Sequence, residues 1–146
     1  APASPETLAT EYWKLYESFI SKYPEDHFYL LSVNPVYCTL RYRGNTVTNS
    51  KVIRFNNTLR KLVKKSGYKN VTYVDTYKNV FQKNGWVHKK SAYRYAMKYR
   101  KMNVRYMRES SSYQLHYTDS VDKKLFKYVN DFIKNDMNIS KDIKQN

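Results

Sequence analysis

Two short apolar runs, HFYLLSV at 27–33 and NVTYVD at 70–75, constrain this chain more than anything else in it. Neither is long enough for a stable helix. The first is continuous rather than alternating, which suits a strand covered on both faces of its sheet. Each follows a segment with helical periodicity. Over 5–23, Leu8, Tyr12, Leu15, Tyr16 and Phe19 recur at spacings of three and four. Pro5 suits the first turn there, Glu6 and Glu11 suit its positive end, and Pro24 stops it. Asn49 or Ser50 is expected to cap a second helix over about 50–66. Its inward face is Val52, Phe55, Leu59, Leu62 and Val63, and Gly67 ends it.

Between the first strand and the second helix, Asn34-Pro35 closes the strand and RYRGNTVT at 41–48 reads as a polar loop. A last helix over about 119–134 carries Val121, Leu125, Tyr128, Val129 and Phe132, and residues 135–146 read as a polar, frayed tail. The order is helix, strand, helix, strand, long insert, helix. Such alternation predicts an α/β chain with a parallel sheet and helices on both faces, as one domain over 1–146. Two strands make a poor sheet, so the sheet is expected to be incomplete.

Net charge is +15, which favours polyanions such as nucleic acid, cell-wall polymers or anionic membrane surfaces. The single Cys38 rules out an internal disulfide and any multi-cysteine zinc site. His27, His88 and His116 are far apart without metal-ligand spacing, so neither metal nor cofactor is implied. No apolar run approaches the roughly 20 residues of a membrane span. The opening APASPETLAT lacks the basic and apolar regions of a signal peptide. Trp13 and Trp86 read as packing residues. Three short matches to the N-glycosylation pattern, at Asn56, Asn70 and Asn138, are too common to decide anything.

The segments FYLLSVNPV, RGNTVTN, KVIRFNNTLRKL, VTYVDTY and LHYTD, in that order, resemble the second half of an SGNH (GDSL-type) hydrolase. The resemblance covers roughly residues 10–80 and 110–134, and is nearest to a bacterial branch of the family. It implies a flavodoxin-like α/β/α sandwich, incomplete at its N-terminal side. It also implies acyl-ester hydrolysis by a Ser-His-Asp triad, on substrates that include O-acetyl groups of cell-wall polysaccharides, in a secreted or cell-envelope setting. His116 in LHYTD falls at the catalytic histidine. Three residues earlier, where the family carries the orienting Asp, stands Tyr113. The Gly-Asp-Ser nucleophile block and the Gly-x-Asn-Asp oxyanion block are absent: none of Gly44, Gly67 and Gly85 is followed by Asp-Ser.

Elementary chemistry points at the same gap. A serine hydroxyl needs a base within hydrogen-bond reach, and the histidine needs an acceptor on its other nitrogen. Tyr113 can accept a hydrogen bond but carries no charge at neutral pH. Asp119 and Asp122 suit a helix start. Asp75, at a strand's carboxyl end, is a stand-in for the missing carboxylate or, more simply, a turn residue.

Residues 86–109 lie outside the family pattern. WVHKKSAYRYAMKYRKMNVRYMR contains no acid, and Arg94, Lys98, Lys101, Arg105 and Arg108 recur at spacings that a helix would gather into one basic stripe. Tyr95, Tyr99, Met102 and Tyr106 follow one residue behind. Three readings stay open: a stripe that packs on the domain, a polyanion-binding surface with stacking tyrosines, and an interfacial membrane helix. The function expected is therefore an SGNH-type acyl-ester hydrolase domain with His116 as base. The alternative is a non-catalytic module holding an anionic polymer.

Overall fold

The computed structural model describes residues 3–37, 39–42, 45–88, 102–108 and 116–145. Helix α1 spans Pro5–Lys22, strand β1 Phe28–Leu31, strand β2 Thr39–Tyr42, strand β3 Asn45–Thr48, helix α2 Asn49–Ser66 and strand β4 Val71–Val74. A π-helical segment, Tyr77–Gln82, a 3-10 turn, Val104–Tyr106, and helix α3, Asp119–Gln145, complete it. Among the described residues no helix is long and apolar enough to cross a membrane.

The starts of the first two helices are set by side-chain caps. Ser4 Oγ accepts from Thr7 N at 3.1 Å, with Pro5 opening the helix. Thr48, one residue before the expected cap, accepts from Lys51 N at 3.3 Å. Asn49 is not spent on capping because it holds another segment, described below. Gly67 ends α2 in the left-handed region, φ 74°, as its residue type predicts.

Helix α1 turns inward a face shifted from the one the spacing suggests: Tyr12 and Tyr16 of the expected stripe lie half-buried against the core, but its other members do not. Ala9, Trp13 and Ile20 are buried, whereas Leu8, Leu15 and Phe19 are 46%, 58% and 45% exposed. The helix is apolar around much of its circumference, and its neighbour α2 selects the face. In α2 the expected stripe holds: Val52, Leu59 and Val63 are buried, and Phe55 and Leu62 lie half-buried beside them.

Strands β1 and β4 pair in parallel, with Phe28 opposite Val71 and Leu31 opposite Val74. Side chains alternate across the pair. Phe28, Leu30, Val71 and Tyr73 join α1 and α2 in one core with Ala9, Trp13, Ile20, Leu59 and Val63. From the opposite face, Tyr29 stacks edge-on against Phe132 of α3 and donates to Asp136 at 2.8 Å. Helices thus cover both faces of a small parallel sheet. Asn70 ties α1 to it by donating to the carbonyls of Ile20, Tyr23 and Asp26.

Three segments depart from the sequence expectation. In the polar stretch read as a loop, residues 41–42 and 45–48 lie in strands: β2 and β3 form an antiparallel pair, with Thr46, Val47 and Thr48 supplying β-branched positions. The stripe helix expected in the 86–109 insert does not extend through 102–108. Met102 and Met107 instead make isolated antiparallel bridges to Val87 and Tyr117, around the 3-10 turn. Met102 and Met107 are buried there, with Val52, Tyr77, Val80, Phe81, Trp86, Val87 and Val121, in a second core. Helix α3 continues far past residue 134, and Asp136 on its next turn anchors it to Tyr29.

Candidate functional site

The chain leaving β1, residues 32–37, lies at the carboxyl end of the parallel pair, where sites gather in α/β sheets. Backbone that leaves a sheet must find new partners, and here side chains supply them. Asn56 of α2 accepts from Val33 N at 2.8 Å and donates to Val33 O at 2.9 Å. Asn49, two turns earlier on the same face, does the same for Val36, both bonds at 2.7 Å. Each carboxamide stands in for a strand edge, offering one acceptor and one donor.

Between these clamps, Asn34 and Pro35 are held by two further groups. Thr76 Oγ1 donates to Asn34 Oδ1 at 2.7 Å and lies 2.9 Å from Ser32 Oγ. A threonine hydroxyl has one proton, so with it on Asn34 the Ser32 hydroxyl donates to Thr76. Ser32 Oγ in turn accepts from Tyr77 N at 2.9 Å. Ser32 and Thr76 are both buried. The serine at this strand end is therefore a structural relay and not an accessible nucleophile. From the other side, Tyr117 donates its phenol to Pro35 O at 2.5 Å. Burial, with the nearby Asp122 charge and Tyr77, pushes the Tyr117 phenol well above the ordinary tyrosine value, which keeps it a donor.

His116 rides on this anchored segment, exposed, directly before Tyr117. Its carbonyl accepts from Arg108 N at 3.0 Å, and Thr118 N donates to Tyr106 O at 3.0 Å, so residues 106–108 and 116–118 form a short ladder. Tyr117 is thereby tied to the Asn34-Pro35 segment, and the exposed His116 stands beside it on the same short ladder. Asp75 accepts from Lys78 N at 3.0 Å, the behaviour of a turn-capping residue. Tyr113, the other candidate support for His116, lies outside the described residues.

Of the five basic residues proposed for polyanions, Arg94, Lys98 and Lys101 lie outside the described residues. Arg108 is occupied: it donates to Tyr117 O at 2.9 Å and Asp119 Oδ1 at 2.7 Å, with Asp122 at 3.8 Å. Its first job is to hold the His116 segment to the start of α3. Arg105 is exposed and sits 5.8 Å over the Tyr106 ring. That ring lies 5.2 Å from Trp86, over which Lys124 Nζ sits at 5.5 Å. The cation on α3 was not foreseen.

The residues that sequence reasoning missed are Asn49, Asn56, Ser32, Thr76 and Tyr117. One signal for them was present. Asn49 and Asn56 fall in register with Val52, Leu59 and Val63, and an amide inside an apolar stripe must have buried partners. His27, the second histidine of interest, lies at the strand's other end, 2.8 Å from Thr72 Oγ1 and 3.9 Å from Asp136. Comparison of the chain with family models, with curated proteins and with solved structures finds no match to any of them.

Proposed function

We propose that this chain carries the histidine-bearing portion of an SGNH-type acyl-ester hydrolase, built on a flavodoxin-like α/β/α sandwich, with His116 as general base. The observation that supports the reading is the position of His116: its segment is pinned by Tyr117 to Pro35, at the carboxyl end of the β1/β4 pair. A base there can take the proton of an attacking hydroxyl and return it to the leaving alcohol. The acyl donor would be an O-acetylated polysaccharide of the cell envelope, as the family resemblance implies. The family's nucleophile and oxyanion blocks are not among these 146 residues, so in this chain His116 would act as the base for an attacking water.

The experiment is the hydrolysis of 4-nitrophenyl acetate by the purified chain, by His116→Ala and by His88→Ala. A positioned general base contributes about 10²-fold or more. The chain is expected to exceed the buffer rate, His116→Ala to lose that excess, and His88→Ala to retain it. Equal rates for the chain and His116→Ala overturn the assignment.

A second reading has its own observation. Arg105, Tyr106, Trp86 and Lys124 form a run of cations against aromatic rings. Such a surface suits an anionic polymer, with cations on its phosphates or carboxylates and half-buried Tyr106 against its rings. A salt titration of binding to single-stranded DNA or heparin separates the two. The binder requires a steep fall of affinity with salt, a loss in Arg105→Ala, and indifference to His116→Ala.

A further inference from the structure

A cleft of about 550 Å³ opens between the first turns of α1 and α2 and strand β3. Its volume falls in the range of small-molecule pockets, about 300–1,000 Å³. The floor and walls are apolar: Leu8, Val33, Val47, Val52 and Phe55. Leu8 and Val33, 46% and 44% exposed, meet here although they come from α1 and the β1 exit. Two apolar side chains left in water at one concave spot mark a surface that a ligand can cover favourably.

The rim is cationic. Arg54 is held by Glu6 through two bonds of 2.8 Å, so its charge is balanced. Lys51 donates to Thr46 O at 2.7 Å and has no ion-pair partner among the described residues. One uncompensated cation above an apolar floor is a poor match for a polyanion, which needs a row of cations. It matches a single anionic head on an apolar body.

We infer that this cleft binds a monoanionic amphiphile of the medium-chain carboxylate class, with the alkyl chain against Leu8, Val33 and Phe55 and the carboxylate at Lys51. His116 is not among the residues that line the cleft, and the inference stands whether or not the chain hydrolyses esters.

The test is titration of the ¹⁵N-labelled chain with octanoate below its micelle-forming concentration. Octan-1-ol and octyltrimethylammonium are run beside it. Octanoate is expected to saturate, shifting amides of Leu8, Val33, Val47 and Lys51. The alcohol should bind more weakly, and the cation weakest. Leu8→Glu, at an exposed position that the fold tolerates, should lower octanoate affinity at least tenfold. Lys51→Gln should lower it about two- to fivefold, the range for one exposed charge pair. Phe126→Glu, on the far helix where the side chain is already 72% exposed, should leave it unchanged. Three results overturn the inference: no saturation by octanoate, equal binding of the octyl cation, or a Leu8→Glu variant that binds as the parent does.

Discussion

The molecule has two cores that meet along α2, and they are built in opposite ways. The first gathers Ala9, Trp13, Ile20, Leu30, Leu59, Val63 and Val71 from regular helices and strands. The second gathers Val52, Tyr77, Val80, Phe81, Trp86, Val87, Met102, Met107 and Val121, mostly from turns, bridges and a helix end. In the first, local periodicity and tertiary packing select the same elements. In the second, short segments far apart in sequence are held mainly by packing on one another. The candidate site belongs to the second: Tyr117 packs 4.9 Å from Phe81, and the bridges at Met102 and Met107 carry the chain to it. The regular half supplies the rigid frame, through Asn49 and Asn56, and the irregular half supplies the histidine.

This contrast can be broken most forcefully at Phe81, which is fully buried against Trp86 and Tyr117. Phe81→Ala is expected to cost about 3–5 kcal/mol in urea unfolding. Amide exchange should rise first at 102–108 and 116–118, while α1 and α2 stay protected. Leu59→Ala, costing about 2–5 kcal/mol, should instead loosen the whole molecule, because α2 borders both cores. A uniform loss of protection in Phe81→Ala would mean one cooperative core and no division.

The next effect concerns the seam. Asn56→Ala leaves Val33 N–H and C=O without the partners they have now, and about 1–3 kcal/mol should follow. Asn56→Asp keeps the acceptor and loses the donor, so it should fall between. Tyr117→Phe keeps the ring in the core and removes only the bond to Pro35, about 0.5–1.5 kcal/mol.

A smaller effect appears at high pH, on the sheet face under α3. Burial and the bond to Asp136 push the Tyr29 phenol up to about 12. A phenol whose folded value lies above its unfolded value of about 10 binds its proton more tightly in the fold. Its contribution is complete below pH about 10 and is lost as pH rises through about 12. Tyr29→Phe should flatten that part of an alkaline unfolding curve. The smallest effect is expected at Glu6, whose carboxyl Arg54 holds below its ordinary value. Its contribution is present above the ordinary carboxylate range and fades as pH falls. Because the pair is exposed, salt should erase it.

How much of this was legible follows the same division. The caps and stops of the regular half are local events, so Pro5, Gly67 and the two strands announce themselves in sequence. The inward face of α1 does not, because Leu8, Leu15 and Phe19 are as apolar as Ala9, Trp13 and Ile20, and only α2 decides between them. The β2/β3 pair hides because polar β-branched residues read as loop. At the site, His116 stands out through LHYTD, but its supports do not. Tyr117 reaches Pro35 across 82 positions and Thr76 reaches Asn34 across 42, distances over which no spacing rule operates.

The most direct measurement is the rate of 4-nitrophenyl acetate hydrolysis by Tyr117→Phe, set beside the parent chain and His116→Ala, with folding checked by amide spectra. If the strand-exit anchor is what makes His116 a base, Tyr117→Phe keeps its fold and its imidazole yet loses most of the rate that His116→Ala loses. If Tyr117→Phe matches the parent while His116→Ala does not, the anchor is structural only. If all three match, His116 is a loop histidine and the hydrolase reading fails.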